Sequence, residues 1–516
     1  MAAEAGRRRR RRFTWGRARG ATQAVSLLAF FLLFLGATRQ AIPPSWLDLS
    51  FRLDPLAMLA QSLASRRLLA TSMLALVTLV TSVLLGRAWC GWVCPLGTLL
   101  DVFTPRWRRL SPAERLEPWR AAKYLLLLAM LVAAAFGSLT LLILDPLTLV
   151  FRALASSLWP AIDRIVTILE RAAYTVEFLR PPVAWLEGAL RPGIFPLDPV
   201  HAGAGFAIFL LLAGIIGLNW LAPRLWCRAL CPLGGLLGLV SKAAIVRRHV
   251  DPACSGCAAC ARRCPTGTIR PDRGFASDPA ECTVCMDCVD VCAMDVNGFH
   301  AARPKPAWEA YDPSRRQALT AIGAAVLGVG LLSSDPRRDH TPPHRLRPPG
   351  VVDADFLQAC IRCAACVRGC PTAALSPALT NAGWQGVWSP VFIPRLGYCD
   401  YSCNACGQVC PVQAIPPLSL EVKRQQVIGA AYIDQDRCIA WADHIDCIVC
   451  EEMCPVPEKA ITLETVSIPR PDGVEVGVKL PHVDRLRCIG CGICEYKCPV
   501  PGEAAIRVYT SASILL

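Results

Sequence analysis

The chain has 516 residues, 53% of them hydrophobic, with a mean hydropathy of +0.39 and only 18% charged. This composition excludes a disordered chain and argues against a wholly soluble enzyme. Lys and Arg outnumber Asp and Glu by 54 to 40, a formal charge of +14, and 28 residues are cysteine.

The cysteines set the class of chemistry. Disulfide-dense domains are small and secreted, with irregular spacings. Here 24 cysteines fall into six quartets, most closed by proline, and the other four fall into two pairs. That regularity points to thiolate metal ligands.

In chain order, a basic N-terminus (residues 1–19) carries Arg7 to Arg12, Arg17 and Arg19. An apolar stretch follows at once, so the block reads as a cytoplasmic anchor rather than a nucleic-acid arm. Four uncharged stretches run Gly20–Thr38, Leu68–Gly86, Tyr124–Leu144 and Ala202–Pro223. Each matches the roughly 20 helical residues that cross a bilayer. A shorter fifth runs Gln317–Ser334. Arg87, Arg106, Arg108, Arg109, Arg115, Arg120 and Lys123 follow the second stretch. Arg224, Arg228, Lys242, Arg247 and Arg248 follow the fourth. The positive-inside rule puts both segments in the cytoplasm. The loop Asp145–His201 is then outside. Within it Ile162, Ile165, Val166 and Leu169 repeat at helical spacing, predicting an amphipathic helix on the membrane surface. A cover over a quinone is the other use of such a helix.

The helical region (residues 20–245) holds two copies of one motif. Trp89-Cys90-Gly91-Trp92-Val93-Cys94-Pro95 and Trp226-Cys227-Arg228-Ala229-Leu230-Cys231-Pro232 are each followed by Leu-Gly. The repeat implies internal duplication. In a continuous helix, i and i+4 would put both thiols on one face. Three roles fit Cys90, Cys94, Cys227 and Cys231: ligands of a seventh iron–sulfur centre, redox or docking thiols, or packing at helix ends.

Residues 246–312 carry Cys254-x2-Cys257-x2-Cys260-x3-Cys264-Pro265 and Cys282-x2-Cys285-x2-Cys288-x3-Cys292. This is the spacing of bacterial two-cluster ferredoxins. A tight loop wraps three corners of a cubane, so each motif gives its last cysteine to the other cluster. The expected sets are Cys254, Cys257, Cys260, Cys292 and Cys282, Cys285, Cys288, Cys264. Zinc sites favour separated C-x2-C units instead.

Arg315 and Arg316 precede the fifth stretch and look like a twin-arginine export signal at residues 313–334. That route carries folded proteins, which a cluster-loaded domain requires, because metal sites form with the fold. A linker (335–352) leads to residues 353–516, expected in the periplasm. Four quartets lie there: Cys360, Cys363, Cys366, Cys370; Cys399, Cys403, Cys406, Cys410; Cys438, Cys447, Cys450, Cys454; and Cys488, Cys491, Cys494, Cys498. The second and third have a lengthened first gap. Spacing leaves their pairing order open. Segments such as Ala431-Tyr432-Ile433-Asp434 read as strands before motifs. The expected fold is mixed: a polytopic α-helical membrane domain plus α+β ferredoxin-like domains with six [4Fe–4S] clusters.

The first roughly 300 residues resemble the NapH/MauN family, by four spans, two Cys-x3-Cys-Pro motifs and a cytoplasmic two-cluster ferredoxin. From Arg315 onward the chain resembles the NapG/MauM family, by the twin arginine and four quartets. The resemblance implies a fused ferredoxin-type quinol dehydrogenase in the bacterial cytoplasmic membrane, multi-pass, passing electrons from the quinone pool to a periplasmic cytochrome or reductase. Two departures stand out: the fusion itself, and the Cys399-Asp-Tyr-Ser-Cys403 spacing. Flow in the reverse direction, and a redox-sensing or maturation role for a periplasmic metalloenzyme, use the same parts. No nucleophile–base constellation, phosphate-binding glycine loop or Cys-x2-Cys-His haem motif occurs. Of seven histidines, only His201 falls at a membrane edge. Each oxidised cubane carries roughly −2, so the positive charge needs no nucleic-acid partner. One gap stays: about 30 Å of hydrocarbon separates the inner and outer quartets.

Overall fold

The computed structural model describes residues 14–37, 43–68, 70–105, 118–191, 195, 203–301, 314–333, 345–379, 381–469 and 475–510. The Arg7–Arg12 block, Arg106 to Arg115 and His201 lie outside the described residues.

The N-terminal half is helical: α1 (Trp15–Gly36), α2 (Pro55–Ser65), α3 (Ala75–Leu85), α4 (Ala88–Trp92), α5 (Pro95–Phe103), α6 (Ala122–Ala135), α7 (Pro146–Ala153), α8 (Trp159–Tyr174), α9 (Arg180–Leu190), α10 (Gly205–Gly217) and α11 (Pro232–Ser241). One device starts four of them. Asp54, Cys94, Asp145 and Cys231 each sit at an N-cap before a proline, and each side chain accepts a backbone N–H of the first turn. Proline fits the first helical position, where no donor is lost, and the cap satisfies an orphan amide.

Among the described residues, α1 alone is long and apolar enough to cross a bilayer by length and composition. The other expected stretches form shorter, interrupted helices. Leu68–Gly86 yields a 3-10 turn and α3. Tyr124–Leu144 breaks after α6, where Gly137 takes φ +81° and its amide turns back to Ala134. Ala202–Pro223 ends early, because the buried Asn219 side chain accepts the Arg224 amide and donates to the Leu100 carbonyl. An apolar run counts side chains; these backbone breaks leave no trace in hydropathy. Further on, α12 (Arg315–Ser333) packs along α6.

The outer-loop helix forms as the spacing predicts. α8 turns Asp163 inward, where Arg191 pairs with it and with Glu170, joining α9 to α8. Ile162, Ile165 and Leu169 stay exposed at 43%, 57% and 63%. An apolar stripe facing away from the protein suits an interfacial helix.

Two cysteine-rich modules follow. In the inner one, antiparallel strands β1 (Val246–Val250) and β2 (Asn297–Ala301) bracket both motifs. In the outer one, β3 (Ala430–Ile433) pairs with β6 (Ile506–Tyr509) around the last two motifs, and β4 (Ile461–Pro469) with β5 (Glu475–Val483) forms a hairpin between them. The strand at Ala431 is the one the sequence predicts.

The modules dock at opposite ends of the helices. At the start of α1, Arg19 pairs with Asp287 at 3.1 Å and donates to the Cys285 carbonyl at 3.0 Å. At its end, Phe34 lies under the Arg368 guanidinium of the outer module at 4.6 Å. The whole 22-residue helix is about 33 Å long, and the step from Arg19 to Phe34 spans about 22 Å of it. α6 repeats the arrangement: Lys123 near its start pairs with Glu281 of the inner module, and Gly137 past its end lies against Gln358 of the outer. The outer module shares one continuous apolar core with the helices, through residues such as Phe34, Phe356 and Trp388. The inner module keeps its own small core of Cys260, Cys264, Ile269 and Cys288 and docks through charges.

Candidate metal centres

All 28 cysteines are free thiols. Among the described residues no three His, Cys, Asp or Glu side chains close on a single metal ion. Zinc gathers its ligands around one ion, whereas a cubane spreads four thiolates over four irons. The quartet spacings in the sequence match the cubane pattern.

In the inner module, Cys264 stands among Cys282, Cys285 and Cys288, close enough that their charges interact. Cys264 thus stands with the second motif, the position the spacing predicts for it. Cys260 neighbours Cys254, with Cys257 exposed and Cys292 half-buried.

The outer module settles the order that spacing left open. Cys410 joins Cys360, Cys363 and Cys366. Cys370 joins Cys399, Cys403 and Cys406 around an apolar pocket that Leu375, Phe392 and Ile428 also line. Cys454 joins Cys488, Cys491 and Cys494 around a second apolar pocket, and Cys498 joins Cys438, Cys447 and Cys450 around a third. Motifs thus pair first with second and third with fourth. The Cys399 amide donates to the Cys491 carbonyl at 2.8 Å, stitching the pairs together. Burial pushes the thiols up, Cys399 and Cys410 to about 11 and Cys450 and Cys491 to about 12. A buried thiolate is costly unless a metal supplies the opposite charge.

The set nearest the helices is Cys360, Cys363, Cys366 and Cys410. Arg152 of α7 donates to the Arg362 carbonyl at 2.8 Å and stacks on Trp388 at 4.5 Å. Arg362 reaches back to Thr140 Oγ1 at 3.4 Å. Sequence reasoning missed these arginines, which carry no motif.

The two Cys-x3-Cys-Pro motifs meet. Cys90, Cys94, Cys227 and Cys231 are all buried and lie within one electrostatic neighbourhood. They do not sit on continuous helices. Cys90 is in α4 and Cys227 in a π-helical turn, while Cys94 and Cys231 cap the helices that follow. The i, i+4 expectation therefore gives way to a bend at each Cys-Pro. Cys94 Sγ accepts the Gly97 amide at 3.4 Å and Cys231 Sγ accepts the Gly234 amide at 3.3 Å. A helix N-terminus favours negative charge on such a sulfur.

Each motif is preceded three residues earlier by an arginine that crosses to the other copy. Arg224 donates to the Cys90 carbonyl at 3.1 Å, and Arg87 to the Cys227 carbonyl at 3.4 Å. Arg224 is held bidentately by Asp101 at 2.7 and 2.6 Å. The matching position after Cys231 is Gly238, so the second copy lacks that carboxylate. A Cβ there would meet the Ala280 carbonyl at 3.0 Å. The glycine lets the inner module approach, and Glu281 supplies the acid to Arg87 at 3.5 Å. Glu281 is fully buried, and Lys123 and Arg120 also pair with it. Burial alone would raise its pKa, but the three cations outweigh that and hold it below the ordinary range. Arg224 is also close enough to both Cys227 and Cys285 for their charges to interact, linking this site to the inner module.

Comparison with known proteins agrees with this picture of the chemistry. A family described as a 4Fe-4S binding domain matches residues 68–111 and 204–251, and each segment holds one Cys-x3-Cys-Pro motif. The methylamine utilization ferredoxin-type protein MauM of Methylorubrum extorquens is 34% identical over 216 residues, covering 40% of this chain and 91% of the relative. The ferredoxin-type protein NapG of Haemophilus influenzae is 34% identical over 192 residues, covering 34% of this chain and 65% of the relative. The putative electron transport protein YccM of Escherichia coli is 29% identical over 234 residues, covering 44% and 54%. No solved structure matches the chain.

Proposed function

The chain belongs to the family of the ferredoxin-type MauM proteins, and from that premise we propose that it is a membrane-spanning quinol dehydrogenase that passes electrons to a soluble redox protein outside the cytoplasm. The observation that carries the reading is the docking of two cysteine-rich modules at opposite ends of α1 and α6. α1, about 33 Å long, matches the hydrocarbon thickness, while α6 is shorter at 14 residues. The basic N-terminus and the loop arginines support a cytoplasmic inner module. The twin arginine at Arg315 and Arg316 suits export of a folded outer module. In this reading the chain fuses the parts of the NapH/MauN and NapG/MauM families.

The 24 quartet cysteines hold six [4Fe–4S] clusters in the sets given above, and Cys90, Cys94, Cys227 and Cys231 hold a seventh. Bound clusters supply one-electron transfer at potentials set by their surroundings. The protein orders the sites. The inner sets meet the four-cysteine site through Arg224 and Glu281. The outer sets begin at Arg152 and Arg362 and end at Cys438, Cys447, Cys450 and Cys498. Quinone, an apolar two-electron carrier, is the substrate that suits the gap between inner and outer sets. Arg87 and Arg224 hold the two motif copies together, while the caps of α5 and α11 aim amides at Cys94 and Cys231.

The test is quinol-dependent reduction of the purified full chain in detergent, followed by loss of visible iron–sulfur absorbance under argon. Reduction by quinol, and reoxidation by an external haem protein, are expected. Clusters reducible by dithionite but untouched by quinol would overturn the reading.

A further inference from the structure

The series of cysteine sets has an end, and its surroundings differ from the rest of this basic chain. The last set is Cys438, Cys447, Cys450 and Cys498. Its first gap holds eight residues where the usual spacing is two. That insert is ordered: Trp441 Nε1 donates to the Pro481 carbonyl at 3.2 Å, and Asp446 accepts the Lys479 amide at 2.9 Å. It presents Ile445, 59% exposed, beside Ile448 and Met453 at 36% and 37%. Between residues 434 and 454 six carboxylates stand against one arginine. Two of them are already paired, Asp434 with Arg507 and Glu451 with Lys459. Asp436, Asp443, Asp446 and Glu452 are exposed around the insert and the helix after it.

An apolar centre with a charged rim is the anatomy of a transient redox interface. Complementary rim charge raises the rate of encounter and fixes orientation. We infer that Ile445, Ile448 and Met453, rimmed by Asp436, Asp443, Asp446 and Glu452, form the docking face for a soluble redox protein whose cofactor lies behind a lysine-rich surface. This rests on the electron-transfer reading above and names the partner's chemistry. In the step it serves, one electron leaves the reduced chain and converts the partner's ferric haem to ferrous, with no proton or bond moved.

Mitochondrial cytochrome c is the probe, as a basic haem protein. The full chain, chemically reduced with clusters loaded, is mixed with it at low and high salt. Binding of the oxidised pair is measured separately by calorimetry. Asp443→Asn/Asp446→Asn/Glu452→Gln is compared with Glu421→Gln/Glu475→Gln, which removes charge elsewhere on the same module. The first variant should lower both rate and affinity about tenfold at low salt and flatten the salt dependence. The second should change neither. Iron content and reduction by dithionite verify that both variants carry their clusters. Equal effects from the two variants, or none from the first, would overturn the proposal. Because reduction is chemical, the outcome is independent of whether quinol is the donor.

Discussion

Arg224 donates to the Cys90 carbonyl at 3.1 Å across the boundary between the two copies of an internal repeat. Arg87 makes the reciprocal contact with Cys227. Each two-cysteine half thus takes a hydrogen bond from the other half's arginine. This reciprocity distinguishes a built site from two helix ends that happen to be close.

The first prediction concerns that latch. Arg224→Lys keeps a positive charge but loses the planar fork that spans Asp101 and the Cys90 carbonyl. The loss should cost about 1–3 kcal/mol. The expected result is a lower midpoint of thermal unfolding and partial loss of iron. Full retention of both would show that charge alone suffices.

The second concerns Glu281. In Glu281→Gln the buried Lys123, Arg87 and Arg120 lose their shared carboxylate. Breaking a buried ion pair on one side costs about 3–5 kcal/mol. Hydrogen exchange should rise along β1 and β2 while the outer module stays protected, because only the inner one docks through this charge. Restoring acid in the repeat, by Gly238→Asp, should not rescue it, since the Cβ would meet the Ala280 carbonyl.

A third follows from the shared neighbourhood of the repeat cysteines. Cys90→Ser/Cys227→Ser should lower iron by about four atoms per chain and leave the signals of the other clusters intact. Cys94→Ser/Cys231→Ser should do the same. Unchanged iron in both would assign these thiols to packing alone.

Much of the chemistry is legible in the sequence because tight loops around a cubane need fixed spacing. Cys264 beside Cys282, Cys285 and Cys288 follows from C-x2-C-x2-C-x3-C alone. The strand at Ala430–Ile433 and the amphipathic helix at Trp159–Tyr174 follow from local pattern. The pairing of Cys410 with Cys360 does not, since nested and sequential orders satisfy the same spacing. The cross-contacts of Arg87 and Arg224 join residues more than 100 positions apart and carry no periodicity. Comparing the repeats position by position, however, aligns Asp101 with Gly238 and shows where one copy lacks its acid. The long apolar runs predicted long helices, and breaks such as that at Gly137 depend on φ, which hydropathy does not encode.

The central claim is that α1 and α6 carry iron–sulfur modules on opposite faces of a membrane. Protease accessibility in intact spheroplasts tests it most directly, with one epitope at the C-terminus and another inserted between residues 302 and 313. The account predicts that the C-terminal epitope is lost to external protease while the internal one survives until the cells are opened. Survival of both epitopes, or loss of both, would place the two modules on the same side and contradict the account.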